Sequence, residues 1–176
     1  MAKAVFFIGL IGIGLYIAHK ASTYDPWVFG YSKEQVQDIL ADAKTTLPRR
    51  DGPGHIQIWS TGPSENGVML NMQYSSKSPL LTCEAVITAI APDETRVVPD
   101  CSSEHDTSSA LSNTRDKLQD PMFEEHIQAT LHKRDFNRTI VDEREAAIVL
   151  KNMGAMQNEA VKNYGDFLRT QDEFRR

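Results

Sequence analysis

Cysteine is scarce in this chain. Two among 176 residues exclude a disulfide-rich scaffold and a four-cysteine zinc site. A basic excess is missing as well: the formal net charge is −5, whereas a nucleic-acid binder carries a basic face to neutralise phosphates. There is no phosphate-cradling glycine loop, no His-Glu-x-x-His helix and no Gly-x-Ser-x-Gly elbow. Spacing sets no Ser or Cys beside a His and a carboxylate, so nucleophilic catalysis has no supporting constellation. The expectation is a protein that is not an enzyme and takes no cofactor, no metal and no nucleic acid.

What is present is enough for one ordinary domain. Hydrophobic residues make up 40% of the chain, a fraction that excludes wholesale disorder at this length. The strongest local signal is N-terminal, where Lys3 precedes an unbroken apolar run over residues 4–18, AVFFIGLIGIGLYIA. At 1.5 Å per residue the run covers roughly 22 Å, short of the ~30 Å hydrocarbon core of a bilayer. His19 and Lys20 can snorkel, and Tyr16, Tyr24 and Trp27 suit the interface, which makes a short span feasible.

A cleaved secretory signal uses the same charged start, but it wants small residues at −3 and −1 of the cut. Cutting after Ala21 puts His19 at −3, and cutting after Ala18 puts Tyr16 there. Both are poor, so an uncleaved transmembrane anchor over residues 1–22 is the preferred reading, ahead of a cleaved signal and of a buried helix. A single α+β domain then occupies residues 23–176. The α-amino group and Lys3 favour a cytoplasmic N-terminus, while Lys20 pulls the other way. Gly14 and Ala18 form a small-xxx-small pair that allows another membrane helix to approach closely.

The soluble part begins with a link that can become a strand at residues 27–29. Ser32 with Gln35 then forms a capping box, and Val36, Ile39, Leu40 and Ala43 recur at helical spacing. Leu47-Pro48 and the Asp51-Gly-Pro-Gly54 stretch end that helix in a loop. The period next changes to two. Residues 55–61, 68–74, 80–90 and 95–101 alternate apolar with polar and are separated by short turns, which predicts an antiparallel meander with one wet face. Helical signals return near residues 110–118. A further helix starts at Asp120, with Pro121 at its first position, Glu124 completing the cap and Phe123, Ile127 and Leu131 inward. The last helix, about residues 142–170, carries a stripe of Ala146, Val149, Leu150, Met153, Met156, Ala160, Val161, Tyr164, Phe167 and Leu168.

Cys83 and Cys101 flank the Ala91-Pro92-Asp93 turn. If Ile90 faces Glu94 across a three-residue loop, Cys83 faces Cys101, on the side shared by Ala85, Ile87 and Val97. Directly opposed residues in an antiparallel pair stand near the separation a disulfide needs. A stapling disulfide is preferred over two buried thiols and over a redox switch. A staple requires an oxidising compartment such as a bacterial periplasm, which agrees with an exported domain.

Other candidates are weaker. Glu104, His105 and Asp106 are adjacent on a loop and point in different directions, whereas metal or acid–base work needs convergence from separate elements. His126 and His132, six apart on one helix, face different sides and cannot form the i, i+4 pair of a metal helix. His132, Lys133, Arg134 and Arg138 form a small basic cluster able to meet anionic headgroups, although a solvated helix end is the preferred reading. Asn137-Arg138-Thr139 matches the glycosylation pattern, and Met153 with Met156 reads as core filler.

The order of strand, capped helix, meander and long C-terminal helix over residues 27–170 resembles the helix-grip layout of the START and plant-pollen-allergen superfamily. That resemblance implies a curved sheet wrapping the last helix around a cavity for lipids or other hydrophobic molecules. Val68, Leu70, Met72 and Tyr74 with Val149, Met153 and Met156 would line its interior, as cavity or as core. The strand count of about five falls below the family's seven, and helical residues 110–131 stand where its last strands would be. The alternative is a two-layer α+β domain packed solidly.

Together these readings predict a membrane-anchored envelope protein. It would be held in the inner membrane by one N-terminal helix, with its domain on the periplasmic side, and would act as an accessory or interaction subunit of a membrane complex. A hydrophobic-ligand or lipid-binding module is the alternative. The expected partners are the membrane itself and another membrane protein or complex, with a lipid or hydrophobic small molecule as a further candidate.

Overall fold

The computed structural model describes residues 25–50, 52–101 and 109–175. The N-terminal anchor expected over residues 1–22 lies outside them. Among the described residues no helix is long and apolar enough to cross a membrane.

The chain runs β1 (Val28–Phe29), α1 (Lys33–Ala41), β2 (Lys44–Pro48), β3 (His55–Pro63), β4 (Gly67–Gln73), β5 (Leu81–Ala91), β6 (Glu94–Asp100), α2 (Ala110–Lys117), α3 (Asp120–Leu131) and α4 (Arg138–Phe174). Six antiparallel strands form one curled sheet in the order β1-β6-β5-β4-β3-β2. The α+β class and the meander are as the alternation of side chains predicts.

One face of the sheet carries Ile56 and Ile58 of β3, Val68, Leu70 and Met72 of β4, Cys83, Ala85 and Ile87 of β5, and Val97 of β6. Val36 and Leu40 of α1 and Met122, Phe123, Ile127 and Leu131 of α3 complete the core with them. The long helix α4 joins this layer through its first turns, where Val141 is fully buried.

Several boundaries differ from the sequence reading, each for a local reason. The expected continuation of α1 to Ala43 stops at Ala41, where Asp42 caps the helix, and β2 follows as a sixth strand. Thr45 pairs with Ile58 and Leu47 with Ile56, so a β-branched and an apolar side chain turn inward at an edge of the sheet. The side-chain cap expected at Asp120 is absent. Asp120 is the first residue of α3, behind Gln119, and Pro121 occupies the start that suits its fixed φ. Helix α4 starts at Arg138, because the Asn137 carboxamide oxygen accepts from the Thr139 and Ile140 amides.

Gly67 shows where backbone approach decides the residue. A Cβ there would stand 1.9 Å from the carbonyl oxygen of Ala85 on the neighbouring strand. Any side chain would push β4 from β5 at the centre of the sheet.

Candidate functional site

Cys83 and Cys101 are joined by a disulfide, with an S–S distance of 2.08 Å and Cα atoms 4.2 Å apart. The pairing is reached by a different turn from the one expected. Ala91 faces Glu94 across Pro92 and Asp93, and a bulge between Ala89 and Ala91 restores the register, setting Ala89 against Thr95 and Glu84 against Asp100. The Cys83 side of the bond lies in the core beside Ala85 and Leu70.

The residues proposed to line an interior fall into two groups. Val68, Leu70 and Met72 are fully buried in the core, and Tyr74 packs partly against it. Val149 and Met156 on α4 are half-buried and Met153 is exposed; none of the three belongs to the core cluster. The structure therefore brings the β4 set together and holds the α4 set apart from it.

Two buried polar arrangements had no signal in spacing. His126 of α3 is completely buried and its Nδ1 lies 2.8 Å from the Thr45 hydroxyl on β2. Its Nε2 is buried without a hydrogen-bond partner. Burial pushes the imidazole pKa down to about 4, so the ring is neutral at pH 7. Glu125, 1% exposed, accepts from both terminal nitrogens of Arg134 and from the Asn137 amide, locking the turn between α3 and α4. The carboxylate beside it raises the Arg134 pKa further.

The candidate basic cluster is an exposed helix end, with Arg138 half-buried, whose members are engaged by neighbours within the domain. Arg134 serves Glu125, Arg138 lies 3.2 Å from Asp142, and the ring of His132 lies 5.1 Å from that of Phe29. Lys133 stands over the Tyr31 ring. Asn137 of the glycosylation pattern is occupied as the cap of α4. Glu104, His105 and Asp106 lie outside the described residues, among which no cluster of three or more His, Cys, Asp or Glu could hold a metal ion.

Two open grooves border α2. One, of about 320 Å³, is lined by Tyr74, Pro79, Leu81, Arg115, Leu118 and Gln119. The other, of about 370 Å³, lies between α2, α3 and α4 and includes Lys117, Asp120, Glu124, Arg144 and Ile148. Burial, with Glu124 as a like-charged neighbour, raises the Asp120 carboxyl to a pKa of about 6. An acid titrating near neutrality in a groove is a recurrent sign of proton chemistry, but the lining of this one includes no Ser, Cys or His.

The largest unexplained feature is on α4. Its face toward the domain, including Ile148, Asn152, Met156 and Glu159, is partly covered. Helix α2 lies along this stretch, and the Glu159 carboxylate accepts from the Ala110 amide at the α2 N-terminus. Around the helix from that face stand Leu150 (69% exposed), Met153, Val161 (74%), Tyr164 (64%), Phe167 and Leu168. What reads in the sequence as one stripe is thus two faces, and among the described residues the second is open to solvent.

Comparisons with protein-family models, with curated proteins and with solved structures find no match for this chain.

Proposed function

We propose that this chain is a membrane-tethered envelope protein, not an enzyme, that acts as an accessory or interaction subunit of a membrane complex. Its N-terminal apolar run anchors it in the inner membrane and its disulfide-stapled α+β domain stands on the periplasmic side. The observation that carries this reading is the exposed apolar face of α4, whose six large side chains are 40–74% exposed. A monomer seldom leaves so long an apolar strip open, and such strips mark contact surfaces. The Cys83–Cys101 bond supports an oxidising compartment.

A second reading, a module that binds a lipid or another hydrophobic molecule, is favoured by the groove at Tyr74, Pro79, Leu81 and Leu118. The helix-grip form of that reading would place the ligand between the sheet and α4. Native mass spectrometry of the full chain, extracted from its own membranes in mild detergent, separates the two. Protein masses at fixed ratio support the interaction subunit. A bound small molecule on a lone chain supports the ligand module and overturns the first reading.

A further inference from the structure

The open face of α4 has a regular spacing. Ala147, Leu150, Gly154, Gln157, Val161, Tyr164, Leu168 and Gln171 follow one another at alternating intervals of three and four residues, the repeat of a two-helix seam. Met153, Ala160 and Phe167 widen it on one flank. Over residues 147–171 the seam runs about 36 Å.

Resting on the reading of α4 as a contact surface, we propose that the occupant of this face is a second copy of the chain. The two α4 helices pair antiparallel about a two-fold axis level with Glu159. In that register Leu150 meets Leu168 of the other copy, Gly154 meets Tyr164, and Val161 meets Gln157, while Met153 and Phe167 face each other along the flank. Each contact then occurs twice, as an isologous interface requires. Sliding the pair by one heptad in either direction leaves Leu150 or Leu168 without an apolar partner.

Two observations support self-pairing over an unrelated occupant. The first is Gly154. A glycine inside a helix costs about 1 kcal/mol relative to alanine, and a Cβ at this position would meet nothing within 4 Å. The chain's own fold therefore does not need its smallness, whereas a tyrosine ring seated opposite does. The second is where support ends. Contact with α2 extends to Glu159, and residues 160–164 and 166–171 are exposed. Antiparallel pairing lays this unsupported half of each helix on the α2-backed half of the other. Six side chains of this size and exposure present on the order of 600 Å² per chain, near the ~800 Å² per partner of a standard interface once the residues between them are counted.

The test uses the full chain in detergent or nanodiscs. Native mass spectrometry is expected to show a dimer, and Gly154→Phe to weaken it roughly 100-fold, because two added rings overpack two symmetric contacts. The same variant does not lower the unfolding midpoint of the domain, because the added side chain meets open space and a glycine inside a helix is itself unfavourable. Stronger association of Gly154→Phe would overturn the proposed register, since it is the response of a merely sticky surface. Orientation is read with Leu150→Cys and Leu168→Cys copies and a short thiol cross-linker. Mixed copies cross-linking, with neither variant linking to itself, is the expected result; self-linking of each variant means parallel helices and overturns the arrangement. Cross-linking of Leu150→Cys to a different protein overturns self-pairing and leaves the interaction reading standing. A monomeric Leu150→Cys protein whose introduced thiol is shielded from labelling assigns the face to the chain's own N-terminal apolar run and overturns self-pairing. A monomer in which that thiol labels freely overturns both the pairing and the interaction reading.

Discussion

His126 on α3 and Thr45 on the edge strand β2 are 81 residues apart in sequence and 2.8 Å apart in the fold. The contact ties the outermost strand of the sheet to the helix that covers it. Whichever of the two atoms carries the proton, the far ring nitrogen is left buried and unpaired. Such a histidine is tolerated neutral and resists protonation, because a buried charge without a partner is costly.

Stability is therefore expected to fall in mild acid. The unfolded histidine titrates near 6.5 and the folded one near 4. Between those values only the unfolded chain takes up the proton, so the stability present above pH 6.5 declines by about 3 kcal/mol and levels off below pH 4. Asp120 acts in the opposite sense. Its folded pKa of about 6 lies above the ordinary 3.8, so folding gains as pH falls through that window, by an amount reduced by its half-exposed position. Urea midpoints at pH 7, 6, 5 and 4 check both. His126→Gln should remove the decline, and Asp120→Asn should steepen it; a His126→Gln protein with the wild-type pH slope would refute the assignment.

The Cys83–Cys101 bond joins residues 18 apart in sequence. Closing a loop of that size restricts the unfolded chain by about 3 kcal/mol. A Cys83→Ala/Cys101→Ala protein should unfold at correspondingly lower denaturant while keeping the native far-ultraviolet spectrum. Thiol labelling of the oxidised wild type should modify neither cysteine until reductant is added. Labelling of both without reductant would mean the bond is absent.

The disulfide also shows what local pattern conveys. The pairing of Cys83 with Cys101 was legible from strand alternation and a turn, even though the turn has two residues and a bulge makes up the difference. Strand β2 was not legible. Lys44-Thr-Thr-Leu-Pro48 is short, follows two residues after a helix, and has β3 as its one strand partner. His126 sits among apolar neighbours on α3, and only a partner 81 residues away decides how it is buried. On α4, periodicity identifies an apolar stripe but carries no information about what covers it. Met156 faces the domain and Leu150 does not, and that depends on where α2 lies.

The Glu125–Arg134 pair predicts an asymmetry between its partners. Glu125 is 1% exposed and Arg134 38% exposed, so the carboxylate bears the desolvation while the guanidinium can turn to water. Arg134→Ala leaves a buried carboxylate held by the Asn137 amide and should cost about 3 kcal/mol. Combining it with Glu125→Gln should restore part of that loss, because no unpaired charge remains buried. A double variant less stable than Arg134→Ala, measured by chemical denaturation, would show that the pair is not the reason Glu125 tolerates burial.

The apolar face of α4 allows stability and association to be separated. Leu150 and Val161 lie outside the core cluster and are 69% and 74% exposed, so the domain gains little from their apolar character. Exposed positions away from caps and cores change stability by no more than about 0.5 kcal/mol. Leu150→Gln/Val161→Gln should therefore leave the unfolding midpoint near wild type, in contrast to Leu70→Ala in the sheet, where removing a fully buried side chain should cost about 3 kcal/mol. If α4 is the contact surface, the same double variant should lose the protein that co-purifies from mild detergent, whether another subunit or a second copy. Loss of stability without loss of association would assign these side chains to folding and place the contact elsewhere on the domain.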